Sequence, residues 1–184
     1  MLIELDVELY KRTLQLRLES EIDSTVRRNL RVVLEHFDRE IAGDLEGVMT
    51  TLSQHPIYHL YNLTNAAQQC LRTEITGTEA VRRLYSTAIA EGTLMLQELN
   101  PRWLIADANG VAFDASAKLA FSGNWLSELG YKTDPALNYL YQGRLCAFIM
   151  VNAKGRLIGE EVYFDPTGFE GIVDRPIDGS VRRL

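Results

Sequence analysis

Acidic and phenolic side chains gather in the last long apolar stretch of the chain, where Leu157 to Asp165 carries Glu160, Glu161, Tyr163 and Asp165. Strand alternation puts Glu161, Tyr163 and Asp165 on one face, and Glu160 on the other with Ile158, Val162 and Phe164. A carboxyl buried among apolar groups has a raised pKa and can serve as a general acid. If Glu160's face turns inward, that role is its own. If the other face does, Glu161 and Asp165 take it, with Tyr163 as a hydrogen-bond donor. On a wet face the same residues are an ordinary solvated or ion-paired strand surface.

His59 is the candidate base, because a neutral imidazole in an apolar pocket can take a proton from a carbon beside a carbonyl. The plainer alternative is a hydrogen-bonded structural histidine at a strand edge. In an extended segment Tyr61 shares the face of His59 and Tyr58 does not. Tyr58, Tyr61, Tyr85, Trp103 and Trp125 are the aromatics that could line an apolar pocket, although such residues are more often core. His55 precedes Pro56 and reads as a turn residue, as does Asp107 beside Asn109-Gly110.

The chain's 184 residues suit one domain with a substantial core. A net charge of −6 with scattered Lys and Arg argues against nucleic-acid or anionic-membrane binding. No Gly-rich phosphate loop, GxSxG elbow, HExxH or other metal-ligand spacing occurs, so neither a metal nor another cofactor is expected. Cys70 and Cys146 stand far apart and are expected as free, buried thiols. Charges interrupt the amino-terminal apolar positions, and no apolar run reaches membrane-spanning length, so the cytoplasm is the expected location.

Residues 1–23 fit either a helix, through Leu5, Leu9, Leu14 and Leu18, or a strand at their start. From Ser24, a plausible N-cap, apolar residues spaced three and four apart predict an amphipathic helix that ends at Gly43. Asp44 can cap a short second helix, and HPIYHLYNL reads as extended. Thr76 and Glu79 have capping-box spacing before a third helix that closes at Gly92. The period then changes to two. Thr93 to Leu99 and Arg102 to Ala106 read as strand, the Asn109-Gly110 turn leads to a strand through Val111, Phe113, Ala115, Ala117, Leu119 and Phe121, and Gly123 to Asp134 reads as loop. A hairpin turning at Asn152 to Gly155 follows, its first strand apolar on both faces as if covered on both sides, and residues 166–184 read as an irregular tail. Helices followed by a strand meander make an α+β class.

The stretches FDREIAGDLEGVMTTL, PIYHLYN, GTEAVRRLY, ADANGVAFDASAKLAFSGNW and AKGRLIGEEVYFD, in this order between about Arg27 and Asp165, resemble SnoaL-like domains of the nuclear transport factor 2-like superfamily. The resemblance implies a cone-shaped, curved antiparallel sheet wrapped around the amino-terminal helices, with residues 24–165 as the cone, 1–23 an extension and 166–184 a tail. It also implies an apolar pocket at the open end. Polyketide cyclases, ketosteroid isomerase, scytalone dehydratase and limonene epoxide hydrolase share that fold with proteins that only bind or dimerise, so fold alone does not assign function.

Ketosteroid isomerase has its Asp base on the early strand, yet no Asp lies between Asp44 and Asp107 here, and His59 or His55 would have to stand in as in a scytalone-dehydratase-like arrangement. Tyr163 and Asp165 match the closing Tyr-x-Asp of SnoaL-like sequences. Two readings result. One is a cofactor-independent cyclase, isomerase or dehydratase acting by acid/base catalysis on a small apolar or carbonyl-bearing ligand, and the other is a non-catalytic ligand-binding or homodimerisation module. A homodimer is expected with either.

Overall fold

The computed structural model describes residues 3–178 and 181–184. A short strand β1 (Ile3–Leu5) leads into helix α1 (Leu9–Ser20), so the first segment holds both of the conformations its sequence allows. Helix α2 (Ser24–Ala42) starts one residue earlier than expected in its capping. Asp23, rather than Ser24, accepts from the amides of Thr25 and Val26. Gly43 ends the helix in the left-handed region at φ 68°, where a side chain would be strained. Val26, Leu30, Val33 and Phe37 form its buried stripe. Asp44 then caps α3 (Leu45–Thr51) through the Gly47 amide.

Strands β2 (Leu52–Thr64) and β3 (Cys70–Thr76) pair antiparallel, and α4 (Thr78–Ala90) follows. The predicted capping box does not form. The cap of α4 is Gly77 without a side-chain bond, and the Thr76 hydroxyl donates to Glu74 instead. The hairpin of β4 (Gln97–Asp107) and β5 (Gly110–Ser122) turns at Asn109, whose amide donates to Asp107. Residues Thr93–Leu96 form a turn rather than strand. Gly123–Glu128, expected as loop, is a short helix α5 capped by Ser122. Six residues start with one good cap but too few apolar positions to show a period.

Strands β6 (Asn138–Val151) and β7 (Leu157–Phe164) complete the main sheet, whose order is β3-β2-β7-β6-β5-β4. The sheet is mixed rather than wholly antiparallel, because β7 lies parallel to β2. The strands approach most closely at Gly159, where a Cβ would stand 1.7 Å from the Ile57 carbonyl oxygen. Only glycine fits there. Strand β6 is central, as its pattern implied, but in its middle only one of its faces is covered. Leu145, Ala147 and Ile149 are buried, whereas Phe148 is 45% exposed on the outer face.

The tail is not irregular. Two 3-10 turns bury Phe169 and Ile172, β8 (Pro176–Ile177) pairs with β6, and β9 (Val181–Arg183) pairs parallel with β1. Isolated apolar residues among Pro and Gly carry no period, so neither the turns nor the strands could be read from the sequence. The tyrosine Tyr141 locks this region down, accepting from the Asp165 amide and donating to the Arg144 carbonyl. The sulfur positions also differ from expectation: Cys70 is exposed and Cys146 half-buried, though both are free. Among the described residues, no helix is long and apolar enough to cross a membrane.

Candidate active site

Register on β2 and β7 decides which side chains face the helices. Tyr58 pairs with Glu160 and Leu60 with Val162 on the inner face, while His59 pairs with Glu161 and Tyr61 with Tyr163 on the outer face. Helix α2 crosses the inner face. Its apolar stripe continues through two polar residues, since Glu40 lies seven positions after Val33 and His36 lies four before Glu40. Helix α4 adds Tyr85.

These groups meet at one point. His36 Nε2 lies 3.0 Å from the Tyr85 hydroxyl, 3.3 Å from Glu40 Oε1 and 3.5 Å from Glu160 Oε1. The other ring nitrogen, Nδ1, is 2.6 Å from Thr51 Oγ1. The Thr51 hydroxyl donates to the Val48 carbonyl, which can only accept, so Nδ1 must carry the proton toward Thr51. Tyr85 donates to Glu40 at 2.7 Å, and its oxygen lies 3.2 Å from the Tyr58 hydroxyl. With Tyr85's own hydrogen committed to Glu40, Tyr58 is the donor to Tyr85, and His36 has only acceptors around Nε2. Both ring nitrogens therefore act as donors, as in an imidazolium.

The electrostatics agree with that count. Burial disfavours charge on His36, which is 2% exposed, but Glu40 and Glu160 outweigh it and lift its pKa to about 9. Burial, aided by the charge on Glu40 and opposed by His36, raises the pKa of Glu160. Burial first, and the nearby carboxylates, also hold Tyr10, Tyr58 and Tyr85 protonated. The cluster thus combines an imidazole inclined to keep its proton, a carboxyl whose pKa burial raises and a second carboxyl. Among the described residues, His36, Glu40 and Glu160 also form the one group whose ligand atoms, all within 4.8 Å, are close enough to hold a metal ion.

The cluster forms the polar end of a cavity of about 210 Å³ whose other walls are apolar, with Phe37, Leu99, Phe113, Ile149 and Val162 among them. An adjoining chamber of about 230 Å³ shares Leu60, Leu94 and Gln97 with it and extends to Phe121 and Trp125.

Of the residues singled out in the sequence, Glu160, Tyr58 and Tyr85 line the first chamber and Trp125 the second. The others are elsewhere. His59 lies on the outer face with Nδ1 2.7 Å from Glu161 and Nε2 3.2 Å from Glu74, so it faces away from the cavity. Tyr61 and Tyr163 stack on that outer face at 4.3 Å, and Trp103 is 67% exposed there. Asp165 caps the first 3-10 turn, accepting from the Thr167 amide and hydroxyl. The sequence reading missed His36, Glu40 and Thr51. The signal for the first two was their place in line with Val33 and Leu30.

No family model and no curated protein matches the sequence. Solved structures do. A putative SnoaL-like polyketide cyclase from Jannaschia sp. CCS1 is similar with a TM-score of 0.61 at 14% identity, covering 86% of this chain and 99% of its own. The chain shares the fold of SnoaL-like and NTF2-like proteins of known structure. An LEH-like epoxide hydrolase from M. tuberculosis matches with a TM-score of 0.51 at 17% identity over 80% of this chain and 91% of its own. A Mycobacterium tuberculosis protein in complex with estradiol-17beta-hemisuccinate matches with a TM-score of 0.50 at 16% identity, over 75% and 94%. At these identities the SnoaL-like likeness establishes the architecture, and the chemistry must come from the side chains.

Proposed function

We propose that this SnoaL-like protein is a small-molecule enzyme that moves protons by general acid/base catalysis on an apolar, oxygen-bearing substrate held in the inner cavity. The observation that carries this reading is the cluster of buried His36 with the half-buried Glu160 and Glu40 at the polar end of an apolar chamber. Glu160 donates a proton to a substrate oxygen. Glu40 takes one from a carbon or from an attacking hydroxyl. His36, fixed by Thr51, is a positioning residue that holds the two carboxyls beside one another at the cavity. One proton given and one taken leaves the count unchanged, as isomerisation, ring closure or loss of water requires. Structural neighbours that include a cyclase and an epoxide hydrolase, and one with a steroid ester bound, agree with the substrate class.

The test uses 5-nitrobenzisoxazole, a small apolar substrate that reports proton abstraction from carbon by a desolvated carboxylate. The protein is expected to accelerate its opening, and Glu40→Gln to lower that acceleration by about 10²-fold. An unchanged rate in Glu40→Gln would sink the assignment.

A second reading concerns assembly. The outer sheet face exposes Trp103 and Ile105 on β4 and Phe148 on β6, either side of β5, with Tyr163 on β7 beside Phe148. We infer that a second copy of the chain covers this band, giving a homodimer. Sedimentation equilibrium is expected to show a dimer at micromolar concentration, and Phe148→Lys a monomer. A wild-type monomer would refute it.

A further inference from the structure

Among the described residues that line the cavity, two polar groups have no partner. The Tyr10 hydroxyl and the Gln97 amide nitrogen are buried, and neither makes a hydrogen bond. Each such group costs stability, because it has given up water without gaining a partner. Folded proteins leave few of them, and each asks for a reason. Tyr10 is 1% exposed, its ring wedged between Phe37 at 4.8 Å and Phe113 at 4.6 Å. It comes from α1, in the amino-terminal segment that precedes the cap of α2, so this segment forms part of the cavity wall. Gln97, at the start of β4, belongs to both chambers and marks their junction.

The charges restrict what could satisfy these donors. Among the described residues no Lys or Arg lines either chamber, whereas Glu40 and Glu160 lie at one end and Glu91 at the other. A carboxylate or phosphate entering there would lose its hydration and meet like charge, and the His36 imidazolium is already paired with Glu40 and Glu160. An oxygen that accepts a hydrogen bond without carrying charge fits.

We propose that Tyr10 and Gln97 form a second polar subsite, donating hydrogen bonds to oxygen atoms of a neutral, mainly apolar ligand such as a cyclic ketone, ether or ester. Tyr10 is then a specificity-determining residue supplied by the amino-terminal helix. This rests on the reading of the cavity as a substrate site, and not on which carboxyl moves the proton.

A matched pair of probes tests it. 2-Tetralone and tetralin differ only in the carbonyl oxygen, and their binding is measured by isothermal titration calorimetry to the full chain, to Tyr10→Phe and to Gln97→Leu. Wild type is expected to bind the ketone more tightly than the hydrocarbon. At least one single variant, and the double variant, should lose about fivefold in ketone affinity while tetralin binding stays within about twofold. Both variants should melt no lower than wild type, since each removes a buried group without a partner. Ketone affinity unchanged in both variants, or both probes weakened alike, would overturn the subsite while leaving the cavity a binding site. Binding of neither probe would overturn the cavity reading and the subsite together.

Discussion

Glu160 and Glu161 are neighbours in the chain, face opposite sides of one sheet, and each has a histidine partner. The outer pair has the better contact, 2.7 Å against 3.5 Å. The inner pair is still the better place for chemistry. Outside, solvent screens the ions, Glu74 and Arg72 share the charge, and the His59–Glu161 contact lowers the pKa of Glu161 and raises that of His59. Both groups are left in their ordinary charged or chargeable forms. Inside, burial raises the pKa of Glu160, and the two carboxyls raise that of His36 against its own burial. A short ion pair shows complementarity, whereas a carboxyl whose pKa is raised by burial beside a cavity offers usable chemistry.

The largest expected contrast is catalytic. On the proposed acid/base reading, Glu160→Gln should reduce turnover of an oxygen-bearing substrate by about 10²-fold, and Glu161→Gln should leave it within about threefold. Equal losses, measured as kcat on the same substrate, would erase the distinction between the faces. Next comes stability. His36→Leu leaves two buried carboxyls without their cation and is expected to cost about 3 kcal/mol in urea unfolding. His59→Leu should stay close to wild type.

The pH dependence is a smaller effect with a definite sign. The folded pKa of His36, about 9, lies above its unfolded value near 6.5, so its contribution is complete below about pH 6.5 and is lost as pH rises through about 9. The raised pKa of Glu160 acts in the same direction. Calorimetry should therefore show the melting temperature falling from pH 7 to 10, by less in His36→Gln. A flat profile in wild type would contradict the imidazolium. The smallest effect separates the pairs by screening. Raising salt to about 0.5 M should lower the His59 pKa, followed by NMR, and leave that of His36 almost unmoved.

Much of this architecture was legible in the chain. The stripe of α2, its Gly43 stop, the Asp44 cap, the Asn109-Gly110 hairpin and the β6–β7 hairpin all follow from local rules. The site was legible only in part, for two physical reasons. Alternation shows that Glu160 and Glu161 part company, but which one turns inward depends on pairing with β2, about a hundred residues earlier. His36 and Glu40 look like the wet side of an amphipathic helix unless their angular position is compared with that of Val33, and nothing local reveals that Tyr58, Tyr85 and Thr51 wait to receive them. Polar residues that satisfy one another across the core leave no trace in any single segment. His59 drew attention for the opposite reason, being a titratable residue in an apolar run whose face only the register determines.

The pairing of β1 with β9 joins the two ends of the described chain, with the Leu184 amide donating to the Leu5 carbonyl and the Asp6 amide held by Glu98. The fold is thereby closed into a ring by non-covalent bonds. Tyr10 is five residues beyond the last paired residue of β1, Leu5, so the shape of the inner chamber depends on residues distant in sequence, on β9. Weakening the β1–β9 pairing would therefore be felt in the chamber wall before it was felt in the main sheet.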